Sequence, residues 1–160
     1  MKAASVVKIR KEIKHLSKEE LMALCLRLAR FKKENKELLT YLLFEAHDET
    51  NYIERVKKEL DEQFDAINTD SYFYIKKSVR KILRNLKKYA RYSLKKETEI
   101  ELLLHFCRKL KHFTPSIKRN IILTNLYKRQ ILTIKKLVAN LHEDLQYDYN
   151  LALEELENYI

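Results

Sequence analysis

The chain of 160 residues contains no glycine, no tryptophan and a single proline, Pro115. Because glycine and proline are the residues most used in tight turns and hairpins, a protein built from many short strands is disfavoured. A chain without glycine also cannot form the glycine-rich loops that hold phosphates in Walker-type and dinucleotide-binding proteins. The composition therefore predicts an all-α protein that lacks the usual equipment of nucleotide-dependent enzymes.

Cysteine and histidine are scarce as well, with two and five residues. Cys25 and Cys107 lack the paired spacing of a disulfide framework or a zinc site, and their apolar neighbours predict buried, reduced thiols. His105 and His112 lie seven residues apart, wider than the i, i+4 spacing at which two histidines on a helix share a metal. We predict no catalytic residue, no metal ligand and no cofactor. A catalytic site assembled by the fold stays open, because triads are recognised by geometry and not by sequence spacing.

Long hydrophobic runs are absent too. No apolar run approaches the roughly 18 residues that span a bilayer, and the N-terminal segment becomes charged before a signal-peptide core develops. We therefore predict a cytoplasmic protein without a membrane span. With 46% hydrophobic residues, the chain can build one sizeable core, so we predict a single domain over residues 1–160.

The apolar residues that are present recur at helical spacing. They predict seven or eight helices joined by short connections, in an antiparallel bundle or a short helical array. Ser17, Asp48 and Thr98 are predicted to cap three of the helices, Ser17 and Thr98 as parts of capping boxes. Asn68 is expected to supply a left-handed helix end in place of glycine, and Ile160 closes the apolar stripe of the last helix.

Charge is segregated along the chain. The net charge is +10, but residues 41–70 carry 3 basic and 9 acidic groups, and residues 137–160 carry 6 acidic groups and no basic one. Between them, residues 71–136 carry 19 basic and 3 acidic groups. The two acidic segments can therefore neutralise part of the basic one within the fold.

The region 72–96 is the most informative part of the sequence, because all ten of its charged residues are Lys or Arg. At 100° per residue, its apolar residues fall on one side of a helix and its cations on the other. Such a stripe can neutralise several phosphates of a nucleic acid. The candidate anion-binding residues are Lys76, Lys77, Arg80, Lys81, Arg84, Lys87, Lys88 and Arg91.

Further residues can enlarge this surface. Tyr74 and Tyr92 lie beside the stripe, where they can stack on bases. Additional cations come as pairs: Lys118-Arg119, Lys128-Arg129 and Lys135-Lys136. The simpler interpretation is a face that is only solvated, or one that is paired with the acidic segments of the chain.

Three stretches resemble a known family: the Leu-rich residues 18–44, the basic residues 75–88 (IKKSVRKILRNLKK), and the acidic, Tyr-rich end of the chain. Together they are similar to a family of small bacterial all-helical proteins that is described as a domain of unknown function. The resemblance implies a bacterial, cytoplasmic, all-α protein. It implies no activity, ligand or catalytic residue.

The sequence favours a non-enzymatic helical interaction or scaffold protein. Its Leu-dense third and sixth helices are expected to expose more apolar surface than one core can bury, which indicates a protein partner or a homo-oligomer. The alternative is a protein that binds nucleic acid, or another polyanion, through the basic helix at 72–96. No small-molecule ligand is indicated.

Overall fold

The computed structural model describes residues 2–159, so Ile160 and the predicted end of the last stripe lie outside the described residues. Within that range the protein is all-α, as predicted, with eight α-helices, one π-helical turn and one 3₁₀ turn. The chain divides into two compact units, Met1–Phe44 and Glu45–Ile160. The single domain over residues 1–160 stays a prediction, and each unit is described separately.

The N-terminal unit contains three helices, α1 (Val6–Ile13), α2 (Lys18–Phe31) and α3 (Lys33–Thr40). The capping box predicted at Ser17 is confirmed: the Ser17 hydroxyl accepts from the Glu20 amide, and the Glu20 carboxylate accepts from the Ser17 amide. Helices α2 and α3 pack against each other. None of the three helices contains a buried residue. The apolar side chains of this unit therefore stay largely in contact with water.

The C-terminal unit contains five helices and holds the core. They are α4 (Glu49–Asp65), α5 (Tyr72–Ser93), α6 (Lys96–Lys111), α7 (Ile121–Val138) and α8 (Glu143–Glu157), and the 3₁₀ turn Ile117–Arg119 precedes α7. Helix α6 packs against each of the other four helices. It is buried on several sides, with its core residues at Ile100, Leu102, Leu103, Leu104, Phe106, Cys107 and Leu110. The prediction that this Leu-dense helix exposes apolar surface is wrong, because four neighbours cover it.

Helix ends in this unit differ from the prediction at two of three positions. Asp48 caps α4 as predicted, and its Oδ1 accepts from the Asn51 amide at 3.1 Å. Thr98 does not cap α6, which begins at Lys96. Instead the buried Thr98 hydroxyl donates to the Glu49 carboxylate. Asn68 has no left-handed backbone. Among residues 2–159, the residue with positive φ is Leu94, at 59°, directly after α5.

Tyrosine hydroxyls join the helices of the C-terminal unit. Tyr52 on α4 donates to the Tyr89 carbonyl of α5 at 3.0 Å, and Tyr127 on α7 donates to the Leu156 carbonyl of α8 at 2.8 Å. Burial, followed by the nearby charged groups, raises the pKa of Tyr127. A polar group that is buried away from water needs a hydrogen-bond partner, and these bonds supply one to each tyrosine hydroxyl. They fix α5 and α7, the two helices that carry the candidate site.

Candidate nucleic-acid interface

The basic face of α5, defined as the eight candidate anion-binding residues given above, is directed away from the core. Six of its residues are exposed, while Lys76 and Lys88 are half-buried. The opposite side of the helix supplies the core residues Ile75, Val79, Ile82, Leu86 and Ala90. The apolar spacing decides this orientation, because turning the helix would expose five core side chains to water. The predicted two-sided helix is confirmed.

Charged side chains of α4 form ion pairs with α6. Asp61 Oδ1 lies 2.7 Å from His105 Nε2, and Lys57 Nζ lies 3.0 Å from Glu101 Oε2. Partial burial acts to lower the pKa of Lys57, but its hydrogen bonds and attraction to Glu54 and Glu101 outweigh burial, so this pKa is raised. Asp61 and Glu54 therefore have cationic partners within the unit, and Glu59 accepts a hydrogen bond from the Tyr89 hydroxyl of α5 at 2.7 Å.

Acidic side chains of α8 are also paired elsewhere. Glu155 Oε1 lies 2.9 Å from Lys111 Nζ on α6, and Glu157 pairs with Lys135 on α7. Helix α8 also reaches α6 through Tyr149, whose pKa is raised to about 12 by burial and then by Glu101, which accepts its hydrogen bond. These two carboxylates of α8 thus pair with α6 and α7.

The basic face consequently keeps its charge. Across residues 2–159, no ion pair joins an acidic group to any of these seven residues: Lys76, Lys77, Arg80, Lys81, Arg84, Lys87 and Arg91. The eighth, Lys88, places its Nζ 4.9 Å from the centre of the Tyr89 ring. Unpaired neighbouring cations produce a positive potential that attracts a polyanion. Ion pairing with the acidic segments, one of the two simpler interpretations of the stripe, does not occur at these seven residues.

Helix α7 extends the positive surface across a groove. The groove has a volume of about 520 Å³ and lies between α5 and α7, with Arg80 and Lys87 on one wall and Arg129 and Lys136 on the other. Its apolar lining consists of Leu83, Leu126 and Leu132. No acidic residue is among the described residues that line it. The groove therefore combines four cations with an apolar surface.

The basic pairs predicted to enlarge the patch behave differently from one another. Arg129 and Lys136, one from each of two pairs, line the groove. Lys135 pairs with Glu157 instead. Lys118, in the 3₁₀ turn, places its Nζ 4.4 Å from the centre of the Tyr159 ring. The two members of a basic pair point in directions about 100° apart around the helix axis. Which of the two faces the groove depends on the neighbouring helices, so the sequence alone does not predict it.

Gln130 is a polar residue buried in the lining of this groove. It is 5% exposed, and its Nε2 donates to the Leu126 carbonyl at 3.2 Å. Its Oε1 has no hydrogen-bond partner. A buried acceptor without a partner costs free energy and calls for an explanation. Sequence reasoning did not find this residue, because the side chains that surround it come from different helices.

The aromatic residues near the basic face include one that sequence reasoning missed. Tyr74 is exposed as expected, whereas Tyr92 is half-buried, with its ring centre 6.1 Å from that of Tyr89. Phe73 is 65% exposed and contacts Tyr74 edge to face at 5.4 Å. Phe73 precedes Arg80 by seven residues, which places the two within about 20° of each other around the helix axis. That spacing was the available signal for an aromatic residue on the basic face.

Other chemistry is sparse in the part of the chain that the structure describes. Among residues 2–159, no three His, Cys, Asp or Glu side chains are grouped so as to hold a metal ion. Burial raises the pKa of the Cys107 thiol to about 12, so this thiol stays protonated at neutral pH. Cys25, predicted to be buried, is exposed. No described helix is both long enough and apolar enough to cross a membrane.

No protein-family model, curated protein or solved structure matches this chain. The resemblance to the small bacterial helical family therefore stays a prediction. The basic face and the groove beside it are therefore the features that bear on function.

Proposed function

We propose that this protein is a non-enzymatic helical binding protein whose C-terminal unit binds a nucleic acid through the basic face of α5 and the adjacent cations of α7. The observation that carries the proposal is that seven cations of the face have no acidic partner among the described residues, although 23 acidic residues are present in the chain. Cations without a carboxylate partner within the fold keep the charge that attracts an anionic ligand.

The dimensions of the face suit a polyanion. Lys76 and Arg91 are fifteen residues apart on one helix, which corresponds to about 22 Å along its axis. Each phosphate that a cation neutralises releases counterions, and the logarithm of the binding constant then falls with the logarithm of salt concentration by about 0.7 per contact for a single strand and about 0.9 for a duplex. Binding through this face is therefore expected to be strongly salt-dependent.

The test compares two charge-matched double variants. Arg80→Gln/Arg84→Gln removes two cations from the basic face, whereas Lys58→Gln/Arg108→Gln removes two exposed cations from α4 and α6. Fluorescence anisotropy with a labelled 20-nucleotide strand, measured from about 50 to 300 mM salt, gives affinity and salt slope for each protein. We expect the first variant to lower the slope by about 1.4 and the second to leave it near that of the parent.

Two results would refute the proposal. One is a parent protein that does not bind the strand at 50 mM salt. The other is an equal loss in both double variants, because that would mean that binding follows net charge and not this face. Circular dichroism of both variants checks that the helices are retained, which we expect because all four substituted side chains are exposed.

A second candidate function, interaction with another protein chain, rests on the N-terminal unit. Twelve large hydrophobic side chains of Met1–Phe44 are exposed, against nine in the much longer C-terminal unit, counted over the described residues. Between α2 and α3 lies an apolar groove of about 240 Å³ whose walls include Leu28, Leu38 and Leu42. Exposed apolar surface of this density is typical of a protein–protein contact. The apolar face of a partner chain, a second copy included, is the surface that would cover it.

Light scattering over a concentration series tests the self-associating form of this second candidate. We expect the apparent mass to rise with protein concentration and Leu28→Glu/Leu42→Glu to abolish the rise, because each charge would then lie in an apolar contact. Lys58→Gln/Arg108→Gln, which changes the net charge by the same −2 on the other unit, is the control. A parent that is monomeric at every concentration would rule out self-association through this unit.

A further inference from the structure

We infer that the groove between α5 and α7 accepts one unstacked nucleotide, which makes single-stranded nucleic acid the class of ligand that this protein binds. The inference rests on the proposed function and adds the form of nucleic acid that is bound. It starts from the composition of the groove, in which four cations, Arg80, Lys87, Arg129 and Lys136, surround an apolar lining. The cations can bind a phosphate, but a phosphate gains nothing from contact with the apolar leucine side chains.

A nucleotide uses both parts of the groove. Its phosphate carries the charge that the cations attract, and its base presents a flat apolar surface to side chains such as Leu132, which is 56% exposed. The volume of about 520 Å³ falls within the range of small-molecule binding sites. In a duplex the bases are stacked and paired, so a base enters such a groove only after it has been extruded, at an energetic cost. A single strand presents its bases without that cost.

Gln130 supplies the second, independent observation. Its Oε1 lacks a partner while its Nε2 bonds to the Leu126 carbonyl, so the oxygen is the acceptor that the side chain offers to a ligand. All four bases carry an amino or imino N–H group on the edge used in base pairing, and this edge is free in a single strand. The terminal torsion of a Gln side chain is broad, so a small rotation brings the oxygen to a donor in the groove.

Three ligands of equal length test the inference: a single strand, the same strand with its internal bases replaced by abasic sites, and a duplex. The abasic strand keeps the phosphates and lacks the bases. At about 100 mM salt, we expect the parent to bind the single strand about tenfold more tightly than the abasic strand, because contacts with a base are lost. We expect the duplex to bind less tightly than the single strand.

Two variants locate the effect in the groove. Gln130→Leu is expected to reduce the preference for the single strand over the abasic strand by about fivefold, because one hydrogen bond is lost. Its melting temperature is expected to equal or exceed that of the parent, since the substitution removes an unpaired buried oxygen. Leu132→Ala removes an exposed apolar contact and is expected to reduce the same preference while the protein remains folded. Neither substitution changes a cation, so binding to the abasic strand should stay as in the parent.

The outcomes separate this inference from the proposed function. If the parent binds neither the single strand nor the abasic strand, the proposed function fails. If it binds all three ligands equally, or if both variants keep the full preference for bases, the nucleotide groove is wrong and the proposed function stands as binding of phosphates alone. If the variants lose the preference and keep binding to the abasic strand, both are supported.

Discussion

Asp61 on α4 places its Oδ1 2.7 Å from His105 Nε2 on α6, and the same carboxylate oxygen lies 3.3 Å from Lys109 Nζ. This contact joins α4 to α6 through a carboxylate of the first acidic segment. Helix α4 packs against both α5 and α6, and its Glu59 accepts from the Tyr89 hydroxyl of α5 at 2.7 Å. Because Asp61 is engaged with α6, it does not neutralise a cation of α5.

Replacing Asp61 by Asn is expected to destabilise the protein at neutral pH by about 1 kcal/mol or less, since the pair is partly exposed. Partial burial acts to raise the pKa of Asp61, but hydrogen bonds and attraction from His105 and Lys109 outweigh it, so the pKa lies below its ordinary value of 3.8. The folded state therefore favours the ionised form, and this stabilisation is present above the ordinary value. It is lost as the pH falls through the lower folded pKa.

Urea denaturation at pH 7, 4 and 2.5 checks this prediction. The difference in free energy of unfolding between the parent and Asp61→Asn should be largest at pH 7 and smallest at pH 2.5. Asp65→Asn is the matched control, because Asp65 is more exposed and lies 3.8 Å from Lys109. A difference that is independent of pH would show that the Asp61 carboxylate does not stabilise the fold through its charge.

Leu94→Gly is expected to stabilise the protein by about 1 kcal/mol. Leu94 adopts φ 59° directly after α5, a conformation that costs a residue with a Cβ atom about 1–2 kcal/mol and that glycine adopts readily. The side chain is 85% exposed, so little packing is lost. In a chain without glycine, this is the place where backbone geometry favours one.

Thermal unfolding of Leu94→Gly and Leu151→Gly provides the measurement. Leu151 is also an exposed leucine, but it lies inside α8, where glycine costs roughly 1 kcal/mol relative to a good helix former. The melting temperature should rise for the first variant and fall for the second. A fall in both would indicate that Leu94 makes a stabilising contact that outweighs its backbone strain.

Sequence periodicity predicted α5 well because a single helix determines the result. The side of α5 that contains Ile75 and Val79 is apolar and the other side is cationic, so the orientation follows from the helix repeat alone. Leu-rich α6 was misjudged, since the number of neighbours around a helix is a property of the tertiary fold. The groove was unpredictable for the same reason, because Arg80 and Arg129 come from different helices. Thr98 matched a capping motif, but its hydroxyl bonds with Glu49, which lies far away in the sequence.

Leu103→Ala tests the central position of α6. The Leu103 side chain is fully buried, and replacing such a residue by Ala typically costs 2–5 kcal/mol, because apolar contacts are lost and a cavity remains. The same change at Leu151, on the surface of α8, should alter stability by no more than about 0.5 kcal/mol. Chemical denaturation measures both. Equal effects would contradict a core centred on α6.

Phe73→Ala separates base stacking from phosphate binding on the basic face. Phe73 is exposed beside Tyr74 and lies on the same side of α5 as Arg80, so its ring is available to a base of a bound strand. If the proposed function holds, the variant should bind a single strand at least fivefold more weakly, since stacking contributes about 1–3 kcal/mol per base. The salt slope should not change, because no phosphate contact is removed.

Tyr147→Ala, an exposed aromatic on acidic α8, is the control and should bind as the parent does. A lower salt slope in Phe73→Ala would mean that the substitution disturbs the cations and that the ring does not stack.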